Sequence, residues 1–155
     1  MGARLGRPIR DMRVNAVVAV LALGLAGGVA RADDSGVTGS FDIKYDEVSN
    51  NCDHTGMSLA RGAMTIAIKN NELTVDITHF PLMRGSLPKS GKVSAKSRLG
   101  PTEIQGLDGI FSVAGRVTEG MLQLVFVAEW STKGRGLCTQ SWNISGLRSD
   151  KVDKK

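Results

Sequence analysis

The chain has 155 residues, and its 20 Lys and Arg against 15 Asp and Glu give a formal charge of +5 that is unevenly placed. Five arginines (4, 7, 10, 13 and 31) and Asp11 lie in the first 32 residues, so the remaining 123 carry 15 basic and 14 acidic side chains. A near-neutral body of that length is enough for one domain, and it removes the bulk-charge case for a nucleic-acid partner.

The arginines from Arg4 to Arg13 precede an apolar run from Val14 to Ala30, broken only by Asn15 and glycines, and then Ala30-Arg31-Ala32. That order of basic, apolar and small residues is the pattern of a secretory signal peptide over residues 1–32, cleaved after Ala32. The competing reading is a membrane anchor, but Gly24, Gly27 and Gly28 dilute a run shorter than the roughly 20 residues a spanning helix needs. No cysteine follows the run to carry a lipid. The expectation is a periplasmic or secreted protein with no stable membrane insertion after cleavage. Cys52 and Cys138, the only cysteines, read as one disulfide formed in an oxidising compartment, with two buried free thiols as the alternative.

From Val37 to Asp46, Val37, Gly39, Phe41, Ile43 and Tyr45 alternate with polar residues, the period of a half-buried strand. A polar loop, 49–61, follows. Met64, Ile66 and Ile68 then form one face of a second strand, and Leu73, Val75 and Ile77 one face of a third. Asn70-Asn71 between them tolerates positive φ and suits a type I′ turn, which pairs Ile68 with Leu73, Ile66 with Val75, Met64 with Ile77 and Gly62 with His79. Residues 80–90 hold Pro81, Gly85 and Pro88 and read as a second long loop with a short extended piece around Leu82 and Met83.

Lys92 to Arg98 is a strand with Val93, Ala95 and Ser97 inward. Gly100-Pro101 turns the chain into a short fifth strand, Thr102 to Gly106, around Ile104. Residues 110–130 form a hairpin about Glu119-Gly120, in which Val117 faces Leu122, Gly115 faces Leu124, Val113 faces Phe126, Phe111 faces Ala128 and Gly109 faces Trp130. Large residues lie opposite small ones, so a slip of one residue would turn Leu122, Leu124, Phe126 and Trp130 outward. Residues 131–137 read as a third long, basic loop. The last strand runs from Leu137 to Leu147 with Gln140, Trp142 and Ile144 on one face, and 149–155 is a charged tail expected to be disordered.

Eight strands, no helix after the leader and regularly spaced turns specify an all-β domain over residues 33–148. The expected architecture is a single antiparallel up-and-down eight-stranded barrel, with a two-sheet sandwich as the alternative. In a closed barrel the first and last strands are neighbours, which would bring Cys52 and Cys138 to one seam. Gly39-Ser40-Phe41 resembles the Gly-x-Trp that opens lipocalin barrels, with Phe for Trp and without the helix that follows the last lipocalin strand. Avidin-like barrels also lack that helix. Both are analogies of architecture that cover the barrel and no ligand motif.

On this topology the loops 49–61, 80–90 and 131–137 gather at one end, and the tight turns lie at the other. Tyr45, His79, Trp130 and Trp142 then point inward near the long-loop end and form a candidate ligand mouth. Arg84 and Arg135 join Arg61, Lys89 and Lys133 on the surrounding loops against Asp53 and Asp108, a local excess of +3 that favours an anionic ligand or an acidic partner surface. The plainer readings are an interior filled by its own side chains and loops charged for solubility. His54 and His79 lack metal-chelating spacing, and Cys52 is taken by the bridge, so no metal or cofactor is expected. No nucleophile and base pair suggests an enzyme.

The sequence thus points to an exported carrier or sensor of a small apolar or anionic ligand. The alternative is a protein-binding module, such as an inhibitor of an extracellular or periplasmic enzyme, using the three loops. Ile110, Ala114, Val125 and Val127 make a small apolar spot on the outside of the hairpin, which implies either a covering segment or a weak homodimer.

Overall fold

A computed structural model describes residues 36–53 and 56–149. The expected leader, the tail beyond Ser149 and His54 lie outside the described residues. Nine strands form one antiparallel sheet: β1 (Gly39–Asn50), β2 (Arg61–Lys69), β3 (Glu72–Ile77), β4 (Met83–Gly85), β5 (Lys92–Lys96), β6 (Gly100–Pro101), β7 (Asp108–Thr118), β8 (Met121–Thr132) and β9 (Arg135–Arg148). Eight of them close into a barrel-like ring in the order β1-β2-β3-β4-β5-β7-β8-β9 and back to β1, with β6 added beside β7.

The two clearest hairpins have the register their alternation demands. Ile68 pairs with Leu73, Ile66 with Val75 and Met64 with Ile77, about a turn in which Asn70 and Asn71 take φ of 51° and 61°. In the long hairpin Val117 pairs with Leu122, Gly115 with Leu124, Val113 with Phe126, Phe111 with Ala128 and Gly109 with Trp130. Gly115 is required there, because a Cβ would lie 2.3 Å from the Gln123 carbonyl oxygen. The inward series packs the ring with apolar side chains, Phe41, Leu73, Leu122, Phe126 and Trp142 among them. Outward positions such as Asp42, Lys44, Glu129 and Asn143 are exposed, the reverse of the lipid-facing pattern of a membrane-spanning barrel.

Two strand assignments differ from the sequence reading. Thr102 to Gly106 is not a strand. Its Thr102 hydroxyl donates to the Leu107 carbonyl at 2.8 Å, and Leu107 N donates to Ile104 O at 3.1 Å, so the chain coils on itself and leaves Ile104 half exposed. The eighth ring strand is instead the short piece Met83–Gly85, which pairs Val75 with Met83, Thr74 with Arg84 and Leu73 with Gly85. Met83 is the apolar side chain between Pro81 and Pro88 that enters the core, and it pins this piece to the sheet.

That exchange reverses β5, which pairs with β7 from Lys92 and Arg116 to Lys96 and Ser112. The connection 97–107, with Gly100-Pro101 in it, therefore crosses the same end as 51–60 and 78–82. Segment 86–91 belongs to the opposite end with the turns at 70–71 and 119–120. The expected loop 131–137 is also absent. β8 and β9 continue to the pair Thr132 and Arg135, and Lys133-Gly134, with φ of 49° and 74°, closes a two-residue turn. Charge and glycine made that stretch look irregular, whereas Gly134 serves the turn and Leu137 bulges out beside the register shift at Trp130 and Ser131. On the outside of the hairpin Val125 is exposed, and Lys96 of β5 reaches Glu129 of β8 at 3.3 Å across β7.

β1 lies antiparallel to β9 from Phe41 and Arg148 to Asn50 and Gln140, so the first and last strands form the closing seam. The Cys52–Cys138 disulfide, with Cα atoms 5.2 Å apart, sits at the top of it. It closes a segment of 86 residues, for which constraint of the unfolded chain contributes roughly 4–5 kcal/mol in the chain-entropy account, with about 2–4 kcal/mol typical of measured bridges. Cys52→Ser is expected to lower unfolding stability in guanidinium by about 2–4 kcal/mol. The unmodified protein should expose no thiol to a labelling reagent before or after denaturation unless it is reduced.

Candidate functional site

Three connections meet over the long-loop end, and each is fixed by a different local device. The segment 51–60 is rich in residues that bond the backbone, and hydrogen bonds tie it down at Asn51, Cys52 and Met57. Asn50 Oδ1 accepts from Cys52 N at 2.8 Å, and Asn51 Oδ1 accepts from Thr139 N at 2.7 Å. Gln140, fully buried on β9, accepts from Met57 N at 2.8 Å through Oε1 and donates through Nε2 to Met57 O and Glu47 Oε2, both at 3.1 Å. A buried amide whose groups are all used in this way is a clamp, because releasing either Met57 group would leave a polar atom without water. Met57 and Leu59 are thereby held against the edge of the core.

The second connection reverses sharply after Ile77. His79 takes φ of 72°, and Phe80 N donates to Ile77 O at 2.9 Å. This throws the Phe80 ring back over the ring of strands, edge-on to Phe126 at 4.9 Å and to Phe111 at 5.2 Å. The third connection, 97–107, is folded about the Thr102 hydroxyl and carries Pro101, Thr102 and Ile104 to the same opening.

Between these connections lies a cavity of about 670 Å³. Its wall is made by the rings of Tyr45, Phe80, Phe111 and Trp130 with the aliphatic Met57, Leu59 and Ile104, and its lip by Arg61, His79 and Glu103. Phe111 and Trp130 meet edge to face at 5.4 Å. Loss of water around the Tyr45 phenol by burial pushes its pKa from 10.0 up to about 12, so it stays a neutral hydroxyl throughout the physiological range. The ionisable wall and lip groups are Tyr45, Arg61, His79 and Glu103. The arrangement offers apolar contact from several directions, with Tyr45, Thr78 and Thr102 as hydroxyl-bearing residues of the lining.

Of the residues the sequence singled out, Tyr45 and Trp130 are in the wall. His79 is on the exposed lip instead of facing inward, because β3 ends at Ile77 and the expected pairing of His79 with Gly62 does not form. Trp142 is deeper, stacked on Phe126 at 5.5 Å, and does not line the cavity. Arg84 points outward from β4 and pairs with Glu72. Arg135 opens β9 away from the wall, and Lys89 is at the other end of the ring. The cationic cluster is therefore not assembled, since its members were placed on loops that are strands or lie at opposite ends. Phe80, Phe111, Met57, Leu59 and Ile104 are the wall residues not foreseen. Phe111 was legible as an inward residue, but Phe80 depends on a positive φ at a histidine, which no glycine or asparagine announces.

No protein-family model, no curated protein and no solved structure matches the chain, so the functional reading rests on this geometry.

Tyr45 is the only tyrosine of the chain, so its ionisation can be followed directly. Phenolate absorbance is expected to titrate near 12 in the folded protein and near 10 after denaturation. The unfolded chain then releases the proton first, so stability falls as pH rises from about 10 toward 12 and is unaffected by this group below that window. Tyr45→Phe should abolish that part of the decline in melting temperature.

Proposed function

We propose that this protein is an exported carrier or sensor of a small apolar molecule, held in the cavity at the long-loop end. The observation that carries the reading is an aromatic-walled space of about 670 Å³ framed by connections that are already fixed. It lies within the roughly 300–1,000 Å³ of small-molecule sites, and a frame ordered in advance spares a ligand the cost of ordering it. Export is supported by the disulfide and by the basic, apolar and small-residue order of the first 32 residues. Among the described residues no helix is long and apolar enough to cross a membrane.

A protein-binding reading has one feature in its favour. Leu99 and Leu137, 53% and 50% exposed, border an outward depression with Ile110. The two readings part at single residues. Titration with a panel of apolar metabolites should give a saturable change in tryptophan emission that Trp130→Phe removes. Leu59→Glu should weaken that binding roughly tenfold or more by placing an unpaired charge in the wall, while Leu137→Asp leaves it unchanged. A stoichiometric protein partner lost in Leu137→Asp, with no small molecule bound by the parent, would reverse the conclusion.

A further inference from the structure

The shape of the cavity narrows the class of ligand. Resting on the reading above, we infer that it takes a compact, flat, uncharged multi-ring molecule and excludes a long acyl chain.

The floor is the first reason. Phe80 covers the axis of the ring of strands, edge-on to Phe111 and Phe126, and Phe126 is stacked in turn on Trp142. Below them Phe41, Leu73 and Leu122 have no exposed surface, and none of these three, nor Phe126 or Trp142, borders the cavity. The space is thus a bowl that stops at the Phe80 ring, with no shaft running down from it. An acyl chain gains affinity by burying successive methylenes along a continuous tube, at about 0.8 kcal/mol for each, and it loses rotamer freedom in doing so. In a bowl it would have to coil or leave most of its length in water. A rigid ring system buries comparable area with almost no internal rotation to freeze.

The wall is the second reason. Tyr45, Phe80, Phe111 and Trp130 present rings from several elements, and aromatic rings favour offset-stacked or edge-to-face partners with centroids about 4.5–7 Å apart. The wall also cannot open to admit a longer guest without cost, because Cys52 is bonded to Cys138 and both backbone groups of Met57 are held by Gln140. The lip is the third reason. Arg61 and Glu103 oppose each other in sign, so their formal charges cancel and the lip has no excess of one sign from them to select an anion or a cation.

N-phenyl-1-naphthylamine, an uncharged aromatic amine whose emission rises in apolar surroundings, tests the inference on the disulfide-bonded protein, with palmitate and fluorenone as unlabelled competitors. The expected result is saturable enhancement at one molecule per chain, reversed by fluorenone and unaffected by palmitate at concentrations where it is monomeric. Leu59→Glu and Ala63→Trp, the second filling the mouth from an exposed strand position, should each reduce the affinity roughly tenfold or more while melting cooperatively. Stoichiometric displacement by palmitate would overturn the ligand class and leave the cavity reading intact. Enhancement that survives both substitutions would place the probe elsewhere and overturn the inference. If the folded protein binds neither the amine, fluorenone nor palmitate, the ligand-binding reading itself falls, and this inference with it.

Discussion

Closure of the sheet depends on the two ends of the described chain meeting along β1 and β9, and each end of that seam is locked by a different interaction. At the lower end the Arg148 guanidinium lies 5.7 Å from the centroid of the Phe41 ring, and its Nη2 donates to the Gly36 carbonyl at 2.7 Å. At the upper end the disulfide and the Gln140 clamp tie the segment after β1 to β9. Without that pairing both strands would be open edges with unpaired backbone groups, and the interior aromatics would lose one wall. The site inherits its rigidity from the same place, since Met57 and Leu59 hang from the clamp that finishes the seam.

Elements whose residues alternate strictly were legible from sequence, register included. In the long hairpin the large side chains of β8 lie opposite small or medium ones of β7, and a slip of one residue would turn Leu122, Leu124, Phe126 and Trp130 outward together. β2 and β3 are fixed in the same way by two asparagines that accept positive φ. β4 was legible only as a short extended piece around Leu82 and Met83; its place in the ring was not, because three residues between prolines carry no period and that place depends on a single anchor, Met83. The ring still has eight strands, yet one of them is not the segment expected. That exchange took Lys89 away from the long-loop end and brought the 97–107 connection to it.

The site was half legible for a related reason. Tyr45 and Trp130 sit on long strands, and alternation placed them correctly. The residues that complete the wall come from connections, whose paths are set by bonds between distant parts of the chain. Gln140 could be placed inward by its position between Cys138 and Trp142, but its role appears only when Met57, 83 residues earlier, is brought beside it. Phe80 depends on a reversal at His79 that the residue type does not advertise. Charges were the least reliable guide: Arg84 and Arg135 lie on strands, where their side chains point to solvent or to a neighbouring carboxylate.

β4 has a consequence for kinetics. It meets β5 through one ladder pair, Arg84 and Lys96, and its Gly85 lies so close to Ser94 that a Cβ there would come within 1.9 Å of the carbonyl oxygen. The ring is therefore thinnest where it is also most closely approached, and a side chain at Gly85 cannot be added to thicken it. The segment carrying Phe80 runs directly into β4. Fraying of those three residues would unseat the floor of the bowl. Access to the interior is in that way coupled to the pairing of the shortest strand in the ring.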